Sequence, residues 1–375
     1  MATIYQQNGI RRVINACGRM TALGVSTIHD DVGQAVVQAA QNYVVIDELI
    51  DRAGELISRH TGGEDSCVTV CASAGIMIAA AACIAGDNIA RIEQLPDSTG
   101  MKNEIIIQKG HAINFNASIT QMLRMGGARV IECGQANKVT GEHLQAAITE
   151  NTAALFYCKS HHCVQKGMVS IEDMAEAAHK NGLPLIVDAA AEEDLKIYLR
   201  KGADLVIYSG AKAIEGPTSG FITGSKGLIA MCKRQYKGVG RAAKIGKEGI
   251  MGIVKALELY GRRDEVQEEQ RQLAIIDEII GGIKDLPGIK ASTSQDEAGR
   301  RIYRVKLEVG GECPWSAEEI VIRLRQGDPA VYTRDHYANV GIIYIDPRPM
   351  LPGDAAVVIQ KLKDVLADGQ SAARK

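Results

Sequence analysis

The sequence predicts an α/β protein: a large domain on a mainly parallel sheet, followed by a smaller α+β domain. Three observations predict it. Between residues 66 and 223, short β-rich runs alternate with helical patterns, the mark of βαβ units. Several of those runs, such as Leu185-Ile-Val187 and Leu205-Val-Ile207, are apolar throughout, as strands covered on both faces are. And 375 residues exceed one ordinary core, which suits a large domain plus a smaller one. Aromatic residues make up only 4%, while Ala, Gly and Ile abound; small side chains let helices sit close on a sheet.

In chain order, residues 1–45 read as an N-terminal segment and 46–246 as the large domain. Its expected strands are Ser66–Cys71, Glu104–Gln108, Arg129–Cys133, Ala153–Lys159, Leu185–Asp188, Leu205–Ser209 and Gly220–Thr223, with helices at Ala74–Ala85, Ile171–Asn181 and Glu192–Arg200. From residue 247 the pattern changes. Lys247–Asp285 is long, charged and helical, punctuated by Gly281-Gly282, and connects to the smaller domain. After Pro287 come expected strands Ile302–Val309 and Gly341–Ile345 and helices Ala317–Arg325 and Ala355–Leu366.

Hydrophobic residues are 46% and charged residues 23%, normal for a soluble globular chain, and the net charge of -2 offers no basic footprint for nucleic acid. The stretch Ile76–Ala85 is far shorter than the roughly 20 apolar residues of a membrane span. The N-terminus shows no signal-peptide pattern, and nine scattered cysteines read as reduced thiols, so a cytoplasmic location is expected. Cys158, His161, His162 and Cys163 match no zinc spacing, and no metal is expected.

The residues that carry chemistry gather at expected strand ends, where open parallel sheets place functional groups. The run Leu185-Ile-Val-Asp188 ends in an acid, and the next strand ends in Ser209-Gly-Ala-Lys212. Pyridoxal 5'-phosphate (PLP) chemistry needs this pair: an amine to hold the cofactor's aldehyde and move protons, and an acid to keep its ring nitrogen protonated. Each residue alone is also an ordinary strand-end charge; the combination points to the cofactor. Cys71-Ala-Ser73-Ala74-Gly75 closes one strand and opens a helix, whose N-terminal amides suit a phosphate, with Ser209 as a further contact. Simple N-capping is the alternative. His111, just past another strand, can lie against a cofactor ring or be a solvated loop histidine.

Four stretches carry a family resemblance: Lys109-Gly-His111, Asp188-Ala-Ala-Ala-Glu192-Glu193-Asp194-Leu195, Tyr208-Ser-Gly-Ala-Lys212-Ala-Ile-Glu215-Gly216-Pro217 and Gly238-Val-Gly-Arg241-Ala-Ala-Lys244-Ile-Gly246-Lys247. They resemble the selenocysteine-synthase-like (L-seryl-tRNA selenium transferase-like) branch of fold-type I PLP enzymes, an aspartate aminotransferase-like fold. The opening Val13-Ile-Asn15-Ala-Cys-Gly18 and the run Lys159-Ser-His161-His162-Cys-Val-Gln165-Lys166 resemble its ammonia-lyase subgroup, which acts on phosphorylated amino sugar acids. The likeness spans about residues 5–365. It implies that Lys212 carries PLP, Asp188 pairs with its ring nitrogen, His111 lies on the ring, and Ser73, Ala74 and Gly75 bind its phosphate. It also implies that Arg348 grips an amino-acid carboxylate, for which a surface ion pair is the alternative. Because the chain reaches Val13 so early, no tRNA-binding N-terminal domain is expected.

The reaction this implies is loss of ammonia from a phosphorylated 2-amino-3-hydroxy acid. His161, His162 and Lys212 are candidate proton donors for the leaving hydroxyl; a strand end facing solvent is the alternative for His161-His162-Cys163. Arg241, Lys244 and Lys247, and nearer the N-terminus Arg11 and Arg12, are candidate phosphate contacts; an ordinary solvated charge is the alternative for each, and the better reading for Arg12. The expected partners are a small-molecule substrate and a second copy of the chain, in a homodimer or higher homo-oligomer; no nucleic acid and no membrane. Other PLP chemistry on a β-substituted amino acid, or a non-catalytic PLP-fold binding protein, are the alternatives.

Overall fold

The computed structural model describes residues 3–160, 162–296 and 301–373. The chain divides into two compact units, one formed by residues 28–262 and the other by residues 1–27 together with 263–375. The sequence reading set its limits at 45/46 and 246/247 instead. The N-terminal residues join the C-terminal unit because β1 (Val13–Ala16) pairs in parallel with β11 (Ala330–Thr333), a match between short strands more than 300 residues apart.

The larger unit is built on a seven-stranded sheet. Its strands are β2 (Asp65–Thr69), β3 (Glu104–Gln108), β4 (Arg129–Cys133), β5 (Thr152–Cys158), β6 (Leu185–Asp188), β7 (Leu205–Ser209) and β8 (Gly220–Gly224). Their order is β2-β8-β7-β6-β5-β3-β4, with all pairs from β7 to β4 parallel and β8 antiparallel to both neighbours. Side chains alternate faces along each strand, so a sheet covered twice needs apolar residues at every position. On β3, Ile106 enters one core with the helices around Ile171–Ala178 and Ile250–Leu257, whereas Ile105 and Ile107 enter the other, with helix Ala72–Ala85.

Helix Ala72–Ala85 is buried almost all round. Its alanines let a neighbouring helix end come very close: a Cβ on Gly126 would stand 2.4 Å from the Met77 carbonyl oxygen. Among the described residues no helix is long and apolar enough to cross a membrane.

The smaller unit holds the β1–β11 pair and an antiparallel sheet ordered β12-β10-β9, formed by β9 (Ile289–Gln295), β10 (Tyr303–Val309) and β12 (Ile342–Ile345). Helices Glu265–Ile283, Ala317–Gln326 and Asp354–Ala373 supply its core.

Two expected helices also change. The single helical connection is two helices, Lys247–Tyr260 and Glu265–Ile283, because Asp264 caps a new N-terminus through the Val266 and Gln267 amides; Gly281 and Gly282 lie inside the second. The helix expected from Glu192 begins only at Ile197, since the Asp194 carboxylate takes the Lys196 and Ile197 amides and holds residues 189–196 as a loop.

Candidate functional site

Lys212 stands in a tight loop between β7 and β8. The loop folds back on itself: the Gly210 amide donates to the Ser219 carbonyl (2.9 Å) and the Gly216 amide to the Gly210 carbonyl (2.8 Å). A Cβ on Gly210 would fall 2.2 Å from Ser219 Oγ and 2.6 Å from Ile253, so only glycine fits there. This turn leaves Lys212 half-buried just past the end of the sheet.

Asp188 ends β6 and is 7% exposed. Its Oδ1 accepts the Ala190 amide (3.1 Å), and the Cys158 thiol donates to Oδ2 (3.7 Å). Burial outweighs these donors and the field of Lys212, and raises the carboxyl to about 6. The following loop is clamped by three tyrosines. Tyr208 donates to the Asp194 carbonyl (3.0 Å), Tyr260 to the Glu193 carbonyl (2.7 Å) and Tyr198 to the Glu192 carboxylate (2.7 Å).

His111 follows β3 and is fully buried. Its Nδ1 accepts the Cys158 amide (3.3 Å), so in the neutral ring the proton sits on Nε2, which is buried without a well-aligned partner. Burial draws the imidazole down to about 4, against a smaller opposing pull from the Val164 backbone. Tyr157 meets the ring edge-on at 4.5 Å. Gln108, one strand position before this turn, binds Val169 through both amide ends (2.7 and 3.1 Å) and fixes the loop after β5.

Ser73, Ala74 and Gly75 open helix Ala72–Ala85 as expected, with different uses. The Gly75 amide donates to the Cys71 carbonyl (3.1 Å), and a Cβ there would press on Ile207 at 2.9 Å, so Gly75 serves helix–sheet packing. The Ala74 amide is capped by Cys71 Sγ (3.4 Å), a weak acceptor that an anion outcompetes. Ser209 ends β7, its amide donating to the Ala190 carbonyl beside Asp188 (3.3 Å). The ends of β2, β3, β5, β6 and β7 thus hold Ser73, His111, Cys158, Asp188 and Lys212 within one unit.

The other candidates are distributed differently. His161 lies outside the described residues, and His162 is exposed. Arg241 and Lys244 are exposed in and just after the turn Val239–Ala243. Lys247 is engaged: its ammonium binds the Ala40 and Asn42 carbonyls and lies 5.4 Å from the Tyr43 ring centroid. In the smaller unit, Arg11 reaches the Gln326 carbonyl (3.4 Å) and Arg12 pairs with Asp354 (2.7 Å). Arg348 grips Asp346 with Nε at 2.9 Å and Nη2 at 2.7 Å, and Arg304 joins them at 3.1 Å. Arg334 turns into the same place. A Cβ on Gly18 would stand 3.2 Å from Asp346 Oδ2 and 3.7 Å from both Arg334 Nη1 and Arg348 Nη2.

Sequence reasoning missed Cys158 and Arg334. Cys158 could have been found from the parallel pairing of two strands ending in Cys158 and Asp188. Arg334 had no signal, because β11 was not anticipated.

A family model described as L-seryl-tRNA selenium transferase matches residues 13–286. D-glucosaminate-6-phosphate ammonia lyase of Salmonella typhimurium (strain 14028s / SGSC 2262) is 48% identical, covering 96% of this chain and 97% of the relative. A 5'-C-glycyluridine monooxygenase-decarboxylase of a Streptomyces species is 38% identical, over 97% of this chain and 92% of its own. A solved D-glucosaminate-6-phosphate ammonia-lyase structure, 47% identical, superposes with a TM-score of 0.94, covering 99% of this chain and all of the other. Aspartate aminotransferase from Thermus thermophilus, at 17% identity and a TM-score of 0.52 over 96% and 93% of the two chains, shares the fold alone. The fold is therefore that of the fold-type I, aspartate aminotransferase-like enzymes, and the chain belongs to the L-seryl-tRNA selenium transferase family.

Proposed function

We propose that this chain is a PLP-dependent ammonia-lyase acting on D-glucosaminate 6-phosphate, with 2-keto-3-deoxy-6-phosphogluconate and ammonia as products. The observation that carries the reading is the placement of Asp188 and Lys212 on neighbouring strand ends, in a chain 48% identical to a relative named for that activity. The cofactor fits the residues present. Asp188 is a buried carboxylate raised to about 6 because its cationic compensation is incomplete, which suits a protonated ring nitrogen. Ser73, its amide, the Ala74 amide and Ser209 would hold the phosphate, His111 would lie on the ring, and Lys212 would bind the aldehyde.

When bound, the cofactor supplies an electron sink for the charge that develops at C2. Lys212 takes the C2 proton, and its half-buried position lets it reach solvent between turnovers. The C3 hydroxyl leaves with a proton as water; His161, His162 and Lys212 are the proposed donors. The released enamine tautomerises and is hydrolysed, so the water lost is regained and ammonia departs. Asp188 stays ionised against the ring nitrogen throughout.

Arg241, Lys244 and Arg11 are the proposed contacts for the substrate phosphate. For the substrate carboxylate we keep Arg348 and add Arg334, whose guanidinium is desolvated beside Arg304 and Arg348. Arg348, held two-pronged by Asp346, would orient the pair. A homodimer or higher homo-oligomer is proposed because Val37, Tyr43, Val44, Val45 and Ile46 are exposed together, Tyr43 fully. All nine cysteines are free thiols, which supports a cytoplasmic location.

The test is an assay for 2-keto acid and ammonia over amino sugar acids with and without a 6-phosphate. Stoichiometric products from D-glucosaminate 6-phosphate are expected. Release from none of the panel would overturn the reading.

A further inference from the structure

We propose that Cys158 is a positioning residue for the site, its thiol orienting the Asp188 carboxylate while its main-chain N–H fixes the tautomer of His111. The proposal deepens the reading above and rests on Asp188 as the partner of the cofactor's ring nitrogen. No other described residue joins the two groups that would flank the ring.

The arrangement follows from register. β5 and β6 run parallel with Cys158 directly opposite Asp188, so the two side chains project to the same face. Each oxygen of Asp188 then has one donor: Ala190 N–H on Oδ1 at 3.1 Å and the Cys158 thiol on Oδ2 at 3.7 Å. The main chain of the same cysteine donates to His111 Nδ1 at 3.3 Å. A one-residue slip of β5 would break both links at once.

A thiol suits this place better than a stronger donor. S–H donates weakly, so it sets the carboxylate's direction without satisfying it, and leaves acceptor capacity for a charged N–H. The thiol itself stays protonated. Hydrogen bonding with Cys163, burial and the negative field of Asp188 all push it well above its ordinary value. Cys158 is wholly buried and Cys163 is 9% exposed, so neither acts as a nucleophile.

The experiment uses the full chain, as purified and after removal of cofactor, with variants Cys158→Val, Cys158→Ala and Asp188→Ala. Valine keeps the position apolar and removes the donor, at the cost of one extra carbon in the side chain. The S–H stretching band of Cys158 is isolated as the infrared difference between wild type and Cys158→Val. It should lie below the frequency of an unbonded thiol and move up in Asp188→Ala, a change that packing alone would not produce. Titrating pyridoxal 5'-phosphate into stripped protein should show about 3- to 10-fold weaker binding in Cys158→Val, the scale of one ordinary hydrogen bond. If valine distorts the strand, Cys158→Ala supplies the same comparison. An S–H band unchanged in Asp188→Ala, or wild-type cofactor affinity in both cysteine variants while Asp188→Ala binds weakly, overturns this proposal and leaves the reading of Asp188 standing. If Asp188→Ala binds the cofactor like wild type, the reading of Asp188 fails, and this proposal with it.

Discussion

Two aspartates, each at the end of an apolar strand, are buried to a similar depth and titrate in opposite directions. Asp346 in the smaller unit is fully buried and held down to about 2, because Arg348 and Arg304 overcome the desolvation of its charge. Asp188 in the larger unit is 7% exposed and raised to about 6, because one lysine, one amide and one thiol do not. Burial is nearly the same; compensation differs. A carboxylate satisfied inside the chain is an anchor, whereas one left partly unsatisfied costs stability and is retained where a ligand completes it.

The largest effect expected from this contrast is at the anchor. Asp346→Asn removes the charge between Arg348 and Arg304 and should lower stability by about 3–5 kcal/mol, as for other broken buried pairs. Denaturant unfolding of the full chain measures it. Asp188→Asn should act with the opposite sign in cofactor-stripped protein at pH 7. A folded value near 6 against 3.8 in the unfolded chain corresponds to a gain of about 3 kcal/mol on removing the charge. A loss at both positions would erase the distinction between them.

The same variant should lose function while gaining stability. Asp188→Asn or Asp188→Ala should lower turnover at least ~100-fold, about 2.7 kcal/mol or more on the barrier. Steady-state kinetics with saturating PLP checks this; near wild-type turnover would mean that the ring nitrogen has another partner.

The pH dependence of stripped protein sharpens the contrast further. Asp188 is raised, so the folded state binds more protons between about pH 3.8 and 6, and stability from this group falls as pH rises through that window. His111 is lowered to about 4 from 6.5, so the unfolded state binds more protons there, and stability rises with pH over nearly the same range. The two slopes oppose each other in wild type. Asp188→Asn removes one, so the variant's stability should climb more steeply with pH than that of wild type between about pH 4 and 6. Equal slopes in the two proteins would contradict the assignment.

The smallest effect concerns substrate choice. Arg241→Ala should reduce the preference for glucosaminate 6-phosphate over glucosaminate about tenfold to a hundredfold, the scale of one charge-assisted contact. Comparing kcat/KM for both substrates in both proteins tests it. An equal loss on both would make Arg241 a scaffold or cofactor contact.

The same two regions differ in how legible they were. Short β-rich runs alternating with helical patterns made the sheet readable, and β3, β4, β6 and β7 lie where the pattern placed them. Lys212 and Asp188 were legible because strand ends are marked locally. The smaller unit was less so. β1 and β11 are four residues each and stabilise one another only across the length of the chain, so neither carries a local signal. Arg334, which follows β11 directly and bridges to Tyr344, was hidden with it. The turn proposed for the cofactor phosphate was readable as a helix start, but the engagement of the Gly75 and Ala74 amides by Cys71 depends on a loop conformation that residue type does not encode. Lys247 looked like a free cation beside Arg241; its binding to the carbonyls of residues 40 and 42 is a long-range contact that periodicity cannot reveal.

The central claim is that the turn between β7 and β8 presents the lysine that holds the cofactor. Reducing the purified, PLP-loaded protein with borohydride and mapping the cofactor-labelled peptide tests it most directly. The account predicts label on Lys212, and no stable label or yellow colour in Lys212→Ala. Label on Lys159, Lys244 or any other lysine, with Lys212→Ala still coloured, would contradict it.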